Sequence, residues 1–159
     1  IWITHGHIDH AGGAMELKEA LGIDIAGPHE ADKLLLDNLE EQGRRYGLPG
    51  PARNCVPDRF LEEGDTVSFA GHVFEVLHCP GHAPGHVVFF NRQARFAHVG
   101  DVLFHGSVGR TDLPGGDHAA LLHSIKEKLL PLGDDVGFLC GHGPGGRFGD
   151  ERRTNPFLV

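Results

Sequence analysis

Near the start of the chain, His5, His7, Asp9 and His10 crowd into the stretch "HGHIDH". Imidazole nitrogens and a carboxylate are the donors that zinc and other borderline first-row metals take. In a tight loop, residues two apart can point to one side while the next pair points to another, so this run can serve two ions. Gly6, Gly12 and Gly13 let the backbone turn sharply and keep bulk away. Further donors follow in glycine-flanked settings: His82 and His86 in "CPGHAPGH", Asp101 in "VGDVLF" and His142 in "LCGHGPGG". A single zinc cannot use His5, His7, Asp9, His10, His82, Asp101 and His142 together. Two zincs with a shared carboxylate and a bridging water can, and Asp101 has two oxygens to divide between them. His86 is expected beside the ligands rather than among them. His29, His72, His98, His105, His118 and His123 are read as structural, and His78 is left unassigned.

The hydropathy pattern supplies elements that could carry these loops. Ile1–Thr4 reads as the end of a buried strand. Ala11–Leu21 reads as a helix with Ala14, Leu17, Lys18 and Leu21 on one face and Gly22 as its stop. "IDIAGP" is a short strand, and 29–43 a second helix with Leu34, Leu35, Leu36 and Leu39 as its apolar contacts. "GLPGPARNCVP" is an irregular connection. "TVSFAGHVFEVLHC" predicts two strands about Ala70–Gly71, and "HVVFFN" and "ARFAHVG" another pair. Residues 106–116 form a glycine-bearing loop. Asp117 caps a helix over 118–130, "VGFLC" is a last strand, and the tail is irregular. His5, His82, Asp101 and His142 then all follow strands, so they can converge at one sheet edge. The order is that of a mixed α and β layered protein.

At 159 residues, with 40% apolar content, the chain is read as one domain over 1–159. A formal charge of −8 argues against a nucleic-acid surface, and Arg147, Arg152 and Arg153 read as a solvated tail. Cys55, Cys79 and Cys140 are too few for a disulfide framework, which favours a reducing, cytoplasmic setting. No apolar run reaches about 18 residues, so no transmembrane helix and no membrane partner are expected. Oligomeric state is not legible.

Taken in order, "THGHIDHAGG", "CPGHAPGH", "GD" and "GHG" resemble the metallo-β-lactamase superfamily. "GDVLFHGSVGRTDLPGGDH", "KEKLLPLGDDV" and "ERRTNPFL" are similar to the small bacterial hydroxyacylglutathione hydrolases, the type II glyoxalases. The resemblance implies an α+β fold, the αββα sandwich, with N-terminal strands of the first sheet outside this chain. It puts His5, His7 and His82 on one metal and Asp9, His10 and His142 on the other, with Asp101 bridging. Two zincs are implied, iron or manganese being the alternatives. Asp9 and Asp101 take catalytic roles, and Arg110 in "SVGR" is implied as a substrate contact. The implied reaction is hydrolysis of a glutathione thioester such as S-lactoylglutathione by a metal-bridging hydroxide, with this small molecule as the partner. "GRTDLPGGD" also resembles sulfur dioxygenases, which would use one iron on His5, His82 and Asp101. An inactive fragment is the remaining alternative.

Overall fold

The computed structural model describes residues 1–50 and 52–159. Its centre is a six-stranded sheet built from β1 (Thr66–Phe69), β2 (His72–His78), β3 (Val87–Asn91), β4 (Phe96–His98), β7 (Gly137–Leu139) and β8 (Gly146–Arg147), in the order β1-β2-β3-β4-β7-β8. All pairs are antiparallel except β4–β7, whose parallel register sets Ala97 beside Phe138. The expected turn at Ala70–Gly71 joins β1 to β2, and both residues take positive φ. Two-residue loops of this hand match the twist of the strands they join.

Strand β3 shows how the layers are built. Each of its residues is buried, and its side chains alternate between two cores. Val88 and Phe90 join Leu121, Ile125 and Leu129 on one face, whereas Val87 and Phe89 join Leu61, Val67 and Val76 on the other. Successive side chains of a strand point to opposite faces, so a strand buried on both sides needs apolar residues throughout.

Beyond the second face lie three extended segments joined by parallel bridges, Trp2 to Ala26 and Ala26 to Arg59. Trp2 packs its ring against Phe74 and Phe89 of the large sheet, with centroids 5.3 Å away in both cases. Helices α1 (Ile8–Ala11), α2 (Ala14–Leu21), α3 (Lys33–Leu36) and α4 (Leu39–Tyr46) cover these segments through Ile3, Ala11, Ala14, Ile25, Leu36 and Leu39. Helix α5 (His118–His123), capped by Asp117 through the Ala120 N–H, continues as a π-helical stretch, Ser124–Leu129, over the first face. The order helix, sheet, bridged segments, helix is the expected αββα sandwich.

Several elements differ from expectation. "IDIAGP" makes an isolated bridge at Ala26 rather than a strand. The first helix begins inside the ligand motif, at Ile8, and restarts at Ala14; Leu17 and Leu21 are exposed. The second helix is a 3₁₀ turn at Glu30–Asp32, then α3 and α4 separated at Asp37–Asn38; Leu34, nearly opposite Leu36 on α3, is exposed while Leu36 and Leu39 stay buried. The loop over 106–116 contains β6 (Ser107–Val108), which pairs with β5 (Leu103–Phe104). The tail holds β8 and a helix α6 (Phe148–Thr154). There Arg152 and Arg153 pair with Asp134 and Asp150, which accounts for the small basic cluster. The connection over 47–57 is irregular as read, Pro51 lying outside the described residues.

Candidate metal centre

The donors from the separate motifs meet at one end of the sandwich, where the strands hand over to loops. His5 and His7 follow the Trp2 segment, and Asp9 and His10 ride the single turn of α1. His82 comes from the loop after β2, Asp101 from the loop after β4 and His142 from the loop after β7. Donor atoms of His5, His7 and His82 lie within 4.8 Å of one another, as do those of Asp9, His10 and His142, and those of His5, His10 and Asp101. Asp101 links the groups: one oxygen is 3.4 Å from His10 Nε2, and the other is 3.6 Å from His82 Nε2 and 3.4 Å from His142 Nε2.

Neighbouring polar groups orient these rings. His5 Nδ1 is 3.0 Å from the Thr4 hydroxyl, which leaves its Nε2 facing inward. His82 Nδ1 lies 2.8 Å from the Arg110 carbonyl and so carries the proton, leaving Nε2 as a lone pair directed at His7 Nδ1, 3.0 Å away. The buried His5 Nε2 and Asp101 Oδ1 have no hydrogen-bond partner among the described residues. An unmet buried polar atom costs about 1–3 kcal/mol. Inward lone pairs around an unmet carboxylate oxygen are the donor set a cation satisfies, so the residues fit a metal site. Gly141 makes room for it: a Cβ there would run into Asp101 Oδ1 and come within 2.6 Å of His10 Cε1.

The charge states of His5, His7 and His82 agree with this fit. Burial, followed by the neighbouring His86, His10, His82 and His7, pushes His5 well below the usual histidine range. Burial and then His82 bring His7 down to about 4, and burial lowers His82. These imidazoles are therefore neutral, as ligation requires. His10 goes the other way. Burial works against its charge, but the Asp101 and Asp9 carboxylates, each 3.4 Å from its Nε2, prevail and raise it to about 9. The nearby His10 in turn holds Asp9 far below the ordinary carboxylate range.

His86 is fully buried, stacks on His5 at 4.6 Å and accepts the Asp101 N–H through Nε2 at 3.0 Å, so it orients Asp101 from behind as expected. Gln42 was not anticipated. Its side chain accepts from Ile8 N–H and donates to the Gly6 and Leu35 carbonyls, fastening α4 to the "HGHIDH" loop. Nothing in its local pattern distinguishes it from a solvated helix residue. Arg110 lines the cleft, but its guanidinium makes two 2.7 Å hydrogen bonds to Asp112. Cys140 directs its thiol at the His142 carbonyl and so bears on the last ligand loop, whereas Cys79 is buried with its pKa raised to about 12. Over the donors opens a cleft of about 790 Å³ walled by Ile8, Tyr46, Leu48, Phe104, Val108 and Leu113.

Residues 1–142 match the family model of the metallo-beta-lactamase superfamily. The chain belongs to that superfamily. It is 49% identical over 157 residues to the hydroxyacylglutathione hydrolase GloC of Haemophilus influenzae, covering 98% of this chain and 74% of that protein. Among solved structures it resembles TTHA1623 in a di-iron-bound form (44% identity, TM-score 0.88, 99% of this chain and 76% of that one). It also resembles the BLEG-1 B3 metallo-beta-lactamase (36% identity, TM-score 0.88, 100% and 76%). This superfamily membership and the donor set together support a metal-dependent hydrolase that uses divalent metal. Among the described residues no helix is long and apolar enough to cross a membrane.

Proposed function

We propose that the protein hydrolyses a thioester at a two-metal centre, with His5, His7 and His82 on one ion, Asp9, His10 and His142 on the other, and Asp101 bridging. The observation that carries this reading is the position of Asp101, whose two oxygens reach into both histidine groups. When bound, such a metal pair supplies a water with pKa near 7 and Lewis acidity toward a carbonyl. The chain's residues do the rest. Asp9, 3.1 Å from His142 and half exposed to the cleft, is placed to orient the attacking water. The apolar walls exclude bulk water and take the acyl and thiol portions of the substrate. A thiolate is a tolerable leaving group, so no strong general acid is required of the cleft.

A glutathione thioester such as S-lactoylglutathione is the specific substrate proposed. The 49% identity to a hydroxyacylglutathione hydrolase supports it. Arg110 is the lone Lys or Arg among the described cleft residues and is proposed to receive a substrate carboxylate, exchanging Asp112 for it. Zinc and iron both suit these donors. Unpaired Cys55, Cys79 and Cys140 accord with a reducing, cytoplasmic setting.

Elemental analysis of protein purified without added metal, followed by hydrolysis of S-lactoylglutathione, tests the proposal. Two metals per chain with thioester cleavage are expected. One iron per chain, with oxygen consumed in the presence of glutathione persulfide, would replace this reading with a dioxygenase.

A further inference from the structure

The side chain of Asp32 is completely buried, although it belongs to none of the ligand motifs. It sits on the 3₁₀ turn Glu30–Asp32 and spends both carboxylate oxygens on backbone N–H groups of two different loops. Oδ2 accepts from Gly6 at 2.8 Å, and Oδ1 accepts from Gly85 at 2.5 Å. Gly6 lies between His5 and His7, and Gly85 lies in the turn that carries His82 and ends at His86. These loops are remote in sequence, and both must be in register for His7 Nδ1 and His82 Nε2 to face each other at 3.0 Å.

Among the described residues the carboxylate has no further hydrogen-bond partner. The His29 N–H donates to the Gly85 carbonyl at 3.0 Å, so the segment bearing Asp32 holds the peptides on both sides of Gly85. A Cβ on Gly85 would meet Asp32 N and the His29 carbonyl, and one on Gly6 would meet Leu35 Cβ at 2.7 Å and the Asp32 carbonyl. Both glycines are therefore pressed against this turn. Burying a carboxylate is costly unless its oxygens are fully hydrogen-bonded, and a chain that bears this cost gains a fixed distance between the loops it joins.

We infer that Asp32 is a positioning residue which clamps the His5–His7 loop to the His82 loop and so pre-forms the buried half of the metal centre. This rests on the two-metal reading above. Ligand loops held in register bind metal without having to be ordered first, and removing such a support typically weakens metal binding about 10- to 100-fold.

The test uses the full chain carrying Asp32→Asn, with Leu129→Ala in the core on the far side of the sheet as a destabilised control. Asn offers one acceptor where two N–H groups need one, and turns its amide nitrogen toward the other. Zinc-loaded proteins are equilibrated with graded chelator while metal content and melting temperature are followed. Asp32→Asn is expected to lose the zinc of the His5, His7 and His82 group about 10- to 100-fold more readily than wild type. The control, though it melts lower, should release zinc as wild type does. Equal release by Asp32→Asn and the control overturns the inference. If Asp32→Asn does not fold, the Gly6 and Gly85 amide protons of the wild type decide. Slow exchange and downfield shifts support the clamp, and exchange as fast as in exposed loops overturns it. A wild-type chain that takes up no zinc sinks the two-metal reading instead, and the amide measurement then judges the clamp alone.

Discussion

The two halves of the candidate centre, three histidines in one and Asp9 with two histidines in the other, stand in different settings. His5 and His82 are 0% and 3% exposed, whereas the side chains of Asp9 and His142 are 52% and 56% exposed. The buried half is fastened by Thr4, the Arg110 carbonyl and Asp32. The open half rests on one helical turn and on the loop after β7. Burial keeps the first set of rings neutral and ready to ligate, while Asp9 and Asp101 hold a proton on His10 in the second. A donor set that is already neutral and ordered binds more tightly than one that must release a proton and settle a loop. On the two-metal reading, the buried half would be the firmer anchor and the open half the more exchangeable one, with both represented in the cleft wall by His7, His82, Asp9 and His142.

The largest expected effect comes from abolishing the division. Asp101→Ala removes the link to both halves and should cost activity more than about 100-fold, beyond the loss of an orienting neighbour alone; metal content per chain and turnover measure it. Next, His82→Ala and His142→Ala should part company. The first opens a hole in a buried cluster and should lower both melting temperature and metal content. The second should give up one metal with little change in melting temperature, and an equal drop in both variants would erase the distinction between the halves. Removal of metal by a chelator should proceed in two phases, with the open half emptied first; a single phase in which both ions leave together would show them to be one cooperative unit.

Smaller effects refine the picture. Burial raises Asp32 to about 6 from the ordinary aspartate range, against the pull of the Gly85 and Gly6 N–H groups. Between roughly pH 4 and 6 the folded chain thus holds a proton on Asp32 that the unfolded chain has already lost. Its contribution to stability should fall as pH rises through that window and level off above it. The stability difference between wild type and Asp32→Asn, measured by denaturant titration from pH 4 to 7, should shrink accordingly; a flat difference would mean that the carboxylate is ionised throughout. Smallest of all, Arg110→Ala should raise KM for a glutathione thioester with kcat little changed, because the guanidinium is exposed and already shared with Asp112. An unchanged KM would remove its role in binding.

Much of this was legible in the residues alone. The ligand types in "HGHIDH", the glycine-flanked His82 and His142 and the strand-end Asp101 are local patterns, and the structure brings all of them together. The strand at β3 and the turn at Ala70–Gly71 were equally readable, because an apolar run and turn chemistry are local signals. The helices were harder. Leu17, Leu21 and Leu34 look like core residues by spacing yet face outward: the break at Gly12–Gly13 rotates the helical segment that carries Leu17 and Leu21, and Leu34 lies nearly opposite the buried Leu36 on α3.

The sequence by itself determined the donor chemistry and the layered class, both properties of residue type and short spacing. Only the tertiary structure decided which donors are buried and which open. It alone brought Asp32 between two loops whose contacted glycines are far apart in the chain, and it seated Gln42 under Gly6. Those choices depend on backbone N–H and carbonyl groups, which every residue carries alike, so no side-chain pattern announces them until the fold has set their directions.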